Sequence, residues 1–249
     1  MSQQPLRIAM WSGPRNISTA LMRSWGNRLD TYVCDEPFYA HYLVQTKLVH
    51  PGGDEVIRHQ ENDWRKVAAW LTGPIPQNKT IFYQKHMAQH LLPNMERDWL
   101  DEVTNCFLIR EPREMLTSLL HFLPQPTLAD TGLPQQIEIL QQVTEHTGRT
   151  PPILDARDVL DNPRRMLGLL CKALNVPFTD AMLSWSPGPR TTDGVWAKYW
   201  YAAVEKTTTF QPYKPKADPV PESLIELCEQ CEELYQRMYE QRLQVKDSR

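Results

Sequence analysis

The stretch WSGPRNISTALMRSWGNR contains residues that could hold an anion. Gly13 and Pro14 form a turn directly after the apolar run LRIAM, and a helical pattern begins at Ser18. Backbone N–H groups at a helix N-terminus, the hydroxyls of Ser18 and Thr19 and the guanidinium of Arg15 are all donors to phosphate or sulfate. The same hydroxyls could instead serve as helix caps, and this stretch alone leaves both interpretations open.

The loop departs from the G-x-x-x-x-G-K-[ST] pattern of ATP- and GTP-binding loops. The sequence has no lysine followed directly by a hydroxyl residue at this place, and that hydroxyl is a ligand of magnesium in such loops. A phosphate or sulfate group still fits the loop, but ATP or GTP is less favoured as its ligand.

A second stretch, FLIREPREMLTSLLHF, places an arginine at the predicted end of a strand. Pro112 begins a helical pattern, and Ser118 lies eight residues after Arg110. This arrangement resembles the signature R-x-P-[KR]-[DE], with a serine eight residues after the arginine and a trailing HF, of sulfotransferases that use 3′-phosphoadenosine 5′-phosphosulfate. The resemblance implies that Arg110 and Ser118 bind the 3′-phosphate of that donor.

The same resemblance gives the opening loop a role. In the family, a loop usually written P-K-S-G-T-T holds the 5′-phosphosulfate, and this chain has arginine in place of the lysine and Ile17 in place of the glycine. Arg15 still offers a cationic donor to the bridging oxygen, which makes it a candidate catalytic residue. The implied contacts to the donor in this loop are Gly13, Pro14, Arg15, Asn16, Ser18 and Thr19.

Two residues compete for the role of the catalytic base. His86, in YQKHMAQHLLP, resembles the histidine of the K-x-H-L-P-x-x-L-L-P segment of cytosolic sulfotransferases, because it lies at the matching distance before LLP, although Lys85 is one residue too close to it. Glu36, in VCDEPFYAHYL, resembles the glutamate of the E-P segment of carbohydrate sulfotransferases and bacterial relatives. A hydroxyl acceptor loses its proton as the S–O bond forms, and either side chain can take that proton. The sequence leaves both candidates open.

The late stretch PGPRTTDGVWAKYW is similar, with altered spacing, to the R-K-G-x-x-G-D-W-K segment that closes over the nucleotide in this family. Arg190 and Trp196 are the implied nucleotide contacts. Both lie in an irregular region, 185–216, that is rich in Pro, Gly and aromatic residues, and we expect this region to form an aromatic lid.

Apolar runs of strand length alternate with helical patterns along the chain. This alternation predicts an α/β fold with a mainly parallel central sheet covered by helices on both faces, and the resemblance implies a three-layer fold of the P-loop NTPase type. In such a sheet the residues that follow the strands converge on one cleft: the opening loop, Asp35–Pro37, Lys85–His86 and Arg110. The predicted strands are 6–11, 31–35, 80–84, 105–109 and 151–155.

Helical spacing predicts helices over 18–28 and 163–174 and a cover helix over about 221–245. Residues 50–55 (HPGGDE) are expected to be irregular. We find no convincing linker, so residues 1–249 are expected to form a single domain.

Composition places the chain among ordinary globular proteins. A formal net charge of −3 argues against a general nucleic-acid binder. The sequence contains no run of eighteen apolar residues, so no membrane segment is predicted. The five cysteines are an odd number without a secretion signal, so we expect reduced thiols and a cytoplasmic location; the pair CEQC is expected to be buried on a helix.

The sequence therefore predicts a sulfotransferase that moves a sulfuryl group from 3′-phosphoadenosine 5′-phosphosulfate to a hydroxyl or amine of a small acceptor, releases 3′,5′-bisphosphoadenosine and uses no metal. Two alternatives remain: a nucleotide-dependent kinase or hydrolase of the same fold, and a nucleotide-binding protein that has lost transfer. The acceptor and the oligomeric state are not indicated by the sequence.

Overall fold

The computed structural model describes residues 5–215 and 218–244, with a five-stranded sheet at the centre. The strands are β1 (Leu6–Ser12), β2 (Thr31–Asp35), β3 (Ile81–Met87), β4 (Thr104–Ile109) and β5 (Ile153–Asp155). Their order is β2-β3-β1-β4-β5, and every neighbouring pair is parallel. β2 and β3 lie on one side of β1, and β4 and β5 lie on the other. The side on which the chain adds strands to the sheet therefore changes next to β1, which is where ligands bind in sheets of this kind.

Helices cover both faces of the sheet because successive strand side chains point to opposite faces. The helices are α1 (Ser18–Gly26), α2 (Tyr39–Thr46), α3 (Gly53–His59), α4 (Trp64–Thr72), α5 (Pro112–Leu119), α6 (Leu133–Thr147), α7 (Ala156–Asp161), α8 (Pro163–Ala173), α9 (Ala197–Trp200) and α10 (Ile225–Tyr239). Met10 packs in a cluster with residues of α1 and α8, whereas its neighbour Trp11 packs with residues of α4, α6 and α10.

The α/β fold and the five predicted strands are confirmed, with one difference that affects the site. Lys85 and His86 were predicted to follow the third strand, but β3 continues to Met87, so both side chains belong to the strand. The prediction of an irregular segment at 50–55 was also wrong in part, since α3 begins at Gly53. The cover helix is shorter than predicted. The predicted bounds at residues 216 and 245 lie outside the described residues.

All five cysteines are buried and free, as predicted. Cys228 and Cys231 lie on α10 and pack against Leu116 and Leu119 of α5, so the C-x-x-C pair contributes to the core. None of the helices in the described ranges is long and apolar enough to cross a bilayer.

Candidate functional site

A cavity of about 590 Å³ opens at the carboxyl ends of the central strands. The opening loop, Glu36, Lys85 and Arg110 all contribute to its wall, so each of the four groups predicted to converge has a member there, whereas His86 does not line the cavity. The late segment, which we define as residues 185–215, covers part of the same cavity with Trp196, Trp200, Tyr201 and Phe210.

The opening loop presents backbone donors to this cavity. Ile17 is the N-cap of α1 and makes no side-chain cap among the described residues, while Ser18 and Thr19 already lie in the first turn. The capping interpretation of these two hydroxyls is therefore wrong. The first residues of α1 line the cavity, and the cap position supplies no side-chain acceptor to their N–H groups, an arrangement that suits an anion.

Two further residues hold the loop against the sheet. Asn16 donates to the carbonyl of Leu108 in β4 at 3.0 Å and accepts from the N–H of Ile17 at 2.8 Å. Gly13 is required by a close approach, because a Cβ at this position would lie 2.3 Å from the carbonyl oxygen of Thr131. The geometry of the loop is thus fixed by long-range contacts before any ligand binds.

A cationic group forms one end of the cavity. The Nη1 of Arg110 donates to the carbonyl of Arg15 at 2.5 Å, and the Nε of Arg15 donates to the Oγ of Ser118 at 3.0 Å. The guanidinium of Arg15 also lies 4.5 Å from the ring centre of Phe122. Burial, and after it the neighbouring charge of Arg110, lowers the pKa of Arg15.

Glu114 positions Arg110 from one turn later in α5. Its Oε2 accepts from the Nη2 of Arg110 at 3.0 Å, and its Oε1 accepts from the hydroxyl of Tyr213 in the late segment at 2.5 Å. The helix itself begins at Pro112 with Glu111 as its cap, so the R-E-P-R-E motif supplies both the cation and the carboxylate that orients it.

A buried polar network lies in the same cavity. The Nζ of Lys85 donates to Asp35 Oδ1 at 2.8 Å, to Glu36 Oε1 at 2.5 Å and to the hydroxyl of Tyr201 at 3.0 Å. Burial opposes the charged form of Lys85, but the charges of Asp35 and Glu36 outweigh it and raise the pKa of Lys85 well above its usual range. Lys85 therefore stays an ammonium.

Glu36 is held in an unusual backbone conformation. Its φ is +42°, its N–H donates to the carbonyl of Lys85 at 2.8 Å, and its carbonyl accepts from Gln60 at 2.9 Å. Burial raises the pKa of Glu36, and the nearby charge of Lys85 opposes this rise. A carboxylate with a raised pKa in a ligand-sized cavity is suited to take a proton near neutral pH.

His86 lies on the other side of β3 from Lys85. It stacks on Trp11 with ring centres 4.3 Å apart and on Phe38 at 5.7 Å, and its Nε2 bonds the Oε1 of Gln84 at 3.2 Å. Burial lowers the pKa of His86 to about 3, so the ring is neutral. The placement makes His86 a member of the core between the sheet and α4, α6 and α10, whereas Glu36 lines the cavity.

Aromatic and imidazole rings form the rest of the wall near Glu36. The ring of Tyr39 stacks on that of His90 at 4.7 Å, and its hydroxyl bonds the Nδ1 of His50 at 2.8 Å. Burial lowers the pKa of both histidines, which favours neutral imidazole rings in this part of the wall. Of the aromatic residues in the late segment, Trp196 lies 5.2 Å from Tyr39, edge to face.

The two nucleotide contacts predicted in the late segment are separated in the structure. Trp196 lines the main cavity, and its Nε1 donates to the hydroxyl of Tyr201 at 3.3 Å. Arg190 instead lines a second cavity, of about 420 Å³, beside α1 and β2, and its Nη2 donates to the carbonyl of Ser186 at 2.8 Å. The spacing of this stretch departs from that of the family segment, and this departure agrees with the placement of Arg190 and Trp196 in separate cavities.

Three residues of the network were not among the predicted site residues: Asp35, Lys85 and Tyr201. Lys85 was placed near the cleft but given no role, and it lies one residue too close to His86 to match the lysine of the family's K-x-H segment. The period-two alternation of a strand that continues through YQKHM would have put Lys85 and His86 on opposite faces. Among the described residues, no group of three or more acidic, histidine or cysteine side chains could hold a metal ion.

The chain is similar to a known family and to two curated proteins. Residues 6–239 match a family model described as a sulfotransferase domain. Two curated relatives from Arabidopsis thaliana are named branched-chain-amino-acid aminotransferase-like protein 1 and protein 2. They are 34% identical over 235 residues and 33% identical over 228 residues, which is 93% and 92% of this chain but 41% and 40% of the relatives. The chain therefore spans about two fifths of their length.

Solved structures share the fold at low sequence identity. The sulfotransferase domain of the Synechococcus PCC 7002 olefin synthase superposes with a TM-score of 0.52 at 16% identity, covering 92% of this chain and 96% of that one. A sulfotransferase from Alicyclobacillus acidocaldarius gives a TM-score of 0.50 at 10% identity, covering 96% and 97%. These likenesses establish a common architecture.

Proposed function

The chain belongs to the sulfotransferase domain family, and we propose that it moves a sulfuryl group from 3′-phosphoadenosine 5′-phosphosulfate to a hydroxyl or amine of a small acceptor. The observation that carries this proposal is that one cavity is lined both by two arginines beside a helix N-terminus and by a partly buried carboxylate, Glu36. Sulfuryl transfer needs both: donors for an anionic substrate and a group that takes the acceptor's proton.

The residues present fit the proposed donor. The N-terminus of α1 with Ser18 and Thr19 would hold the 5′-phosphosulfate, while Arg110 and Ser118 would hold the 3′-phosphate. Arg15 lies with Arg110 and Ser118 in the structure, so it would act at the 3′-phosphate end rather than at the bridging oxygen assigned to it above. The bound donor supplies an activated sulfuryl group, and its transfer leaves 3′,5′-bisphosphoadenosine.

Glu36 would take the proton of the acceptor. Its carboxylate lines the cavity and its pKa is raised by burial, whereas His86 is packed among Trp11 and Phe38 on the other face of β3. The neighbouring rings of Tyr39 and Trp196 offer an apolar surface to the body of the acceptor.

Two measurements test the proposal. Calorimetry compares 3′,5′-bisphosphoadenosine with ATP and magnesium; we expect the bisphosphate to bind and ATP to bind more weakly or not at all. Preferential binding of ATP with magnesium would favour the kinase or hydrolase alternative. Turnover with 35S-labelled donor against a panel of phenols, aliphatic alcohols, sugars and amines then tests transfer. Tight binding of the bisphosphate without transfer to any acceptor in the panel would favour the non-catalytic alternative.

A further inference from the structure

The ammonium of Lys85 connects two carboxylates and the late segment. Its three donor hydrogens match three acceptors within 3.0 Å: Asp35, Glu36 and the hydroxyl of Tyr201. Lys85 is 1% exposed, so these contacts replace water rather than supplement it. Two carboxylates and one ammonium leave an excess of one negative charge in this buried place.

The two carboxylates are held unequally. Asp35 Oδ2 accepts from the hydroxyl of Tyr201 at 2.6 Å and from the N–H of Gly194 at 3.3 Å, in addition to the bond from Lys85 to Oδ1. Within the described ranges, the hydrogen bond to the Glu36 side chain comes from Lys85. When two nearby carboxylates compete, the proton goes to the one whose anion is less well solvated, which is Glu36 here.

We propose that Asp35 is a positioning residue that makes Glu36, its neighbour in sequence, the proton acceptor of the site. Asp35 accepts the hydrogen bonds of Tyr201 and Gly194 in the late segment and also shares the Lys85 ammonium, so that fewer donors are left for Glu36. This inference rests on the proposed function. It adds that the late segment, through Tyr201 and Gly194, determines which of the two adjacent carboxylates acts as the base.

Four ionisable groups face Glu36 from the elements packed against it: Asp35 from β2, Lys85 from β3, Tyr39 from α2 and Tyr201 from the late segment. Burial raises the pKa of Glu36, Lys85 lowers it and Asp35 raises it. Removal of the negative charge of Asp35 therefore has two effects, and both lower the pKa of Glu36. The repulsion between the two carboxylates disappears, and Lys85 pairs with Glu36 alone.

The first test is the pH dependence of kcat/KM in Asp35→Asn, an isosteric change that removes the charge. A base must be deprotonated to act, so activity rises with pH through the pKa of Glu36. We expect this acid limb to move to lower pH by about one unit or more, and the plateau rate to fall, since a weaker base takes the proton less readily. An acid limb that stays in place while kcat falls would show a merely structural role and overturn the inference.

Tyr201→Phe is the matched variant, because it removes a donor from Asp35 and keeps both carboxylates. We expect the proton that Glu36 carries in the parent protein to be shared with Asp35 in this variant, because the Asp35 anion has lost a hydrogen-bond donor. In a titration followed by 13C NMR, the carboxyl signals of both residues should then respond together. A proton that stays on Glu36 alone would contradict the role given to the late segment.

A carboxyl titration followed by 13C NMR in the complex with 3′,5′-bisphosphoadenosine separates this inference from the proposed function. The signal with a raised pKa should disappear in Glu36→Gln and titrate at lower pH in Asp35→Asn. If it persists in Glu36→Gln, or if Asp35→Asn leaves it unmoved, the inference fails even when transfer is observed. If no acceptor is sulfated but the titration behaves as expected, the proposed function fails and the assignment of the proton to Glu36 stands. Should Asp35→Asn not fold, Glu36→Gln and Tyr201→Phe still decide.

Discussion

The Nε of Arg15 donates to the Oγ of Ser118 at 3.0 Å, which joins the turn after β1 to the end of α5. The two residues belong to motifs that lie 103 positions apart in the sequence, and the carbonyl of Arg15 also accepts from Arg110. Arg15 therefore belongs to the same cationic group as the R-x-P-R-E motif. Arg15 replaces a lysine of the family loop. Its forked guanidinium offers several donors in a fixed plane, whereas a lysine at the same position would offer a single ammonium group.

The first prediction concerns this contact. Arg15→Ala should weaken the binding of 3′,5′-bisphosphoadenosine by about 10- to 100-fold, because the loss of a charged hydrogen-bond donor costs about 1.5–3 kcal/mol. Ser118→Ala should weaken it less. The double variant should fall short of the sum of the two effects, since the residues touch. Calorimetry provides the measurement, and Arg149→Ala, an exposed arginine remote in sequence from both motifs, is the control. Strict additivity would show that the two side chains act independently on the ligand.

The second prediction separates the two candidate bases. Glu36→Gln keeps the size of the side chain and removes its ability to take a proton, so kcat/KM for sulfuryl transfer should fall by about 100-fold or more while the bisphosphate still binds. His86→Phe retains a ring between Trp11 and Phe38 and should keep most of the activity. A large loss of kcat in a folded, nucleotide-binding His86→Phe protein would return the base role to His86.

The third prediction follows from the burial of His86. Its pKa is about 3 in the folded protein against an ordinary value of 6.5, so the unfolded chain binds the proton first as the pH falls. The contribution of His86 is constant above pH 6.5. Between pH 6.5 and 3, the burial of His86 as a neutral ring lowers the free energy of unfolding by at most about 1.4 kcal/mol for each unit by which the pH falls.

Urea unfolding followed by tryptophan fluorescence at several pH values between 7 and 4 checks this. The pH dependence should be shallower in His86→Phe than in the parent protein, whereas His59→Gln, a change at an exposed histidine, should leave it unaltered. Equal slopes in His86→Phe and the parent would mean that His86 is not the neutral buried ring described above.

The fourth prediction concerns the opening loop. A Cβ at Gly13 would lie 2.3 Å from the carbonyl oxygen of Thr131, so Gly13→Ala must displace the loop or the segment that precedes α6. We expect a loss of stability of about 1–3 kcal/mol together with weaker bisphosphate binding. Gly168→Ala, within α8 and with nothing inside 4 Å of the added Cβ, should be neutral or stabilising because alanine favours a helix. Thermal unfolding and calorimetry on both variants give the comparison, and equal behaviour would contradict the role given to Gly13.

The strands could be predicted from the sequence because buried parallel strands read as continuous apolar runs. The end of β3 could not, since Gln84, Lys85 and His86 are polar. Each is compatible with a central strand for a reason that only the fold supplies: Gln84 bonds the carbonyl of Leu71, His86 stacks on Trp11, and Lys85 meets two carboxylates.

The candidate site was predictable to a similar extent. Motifs with fixed local spacing, such as Arg110 just before α5 and Ser118 within it, were found because short spacing is visible in the sequence. The partnership of Lys85 with Tyr201 spans 116 residues, and such a distant contact leaves no local pattern. Asp35 was overlooked for the same reason: its role depends on Tyr201 and Gly194, which approach it only through the path of the late segment.

The fifth prediction tests a residue on which sequence and structure differ. The family resemblance gives Arg190 a contact to the nucleotide, but in the structure its backbone N–H donates to Asp193 at 2.7 Å and its guanidinium faces the second cavity beside α1. We therefore expect Arg190→Ala to leave the affinity for 3′,5′-bisphosphoadenosine unchanged. Arg110→Ala should weaken it by about 10- to 100-fold, as expected for a lost charged donor.

Calorimetry on both variants, with circular dichroism to confirm their folding, makes the comparison direct. A loss in Arg190→Ala as large as that in Arg110→Ala would mean that the segment 187–196 rearranges when the nucleotide binds and carries Arg190 into the main cavity. In that case the salt bridge between Arg23 and Asp193, which holds this segment against α1 at 2.6 Å, would have to break on binding, and Arg23→Ala would be expected to strengthen the affinity. Unchanged affinity in Arg190→Ala fits a segment that stays anchored by that salt bridge and keeps Arg190 outside the main cavity.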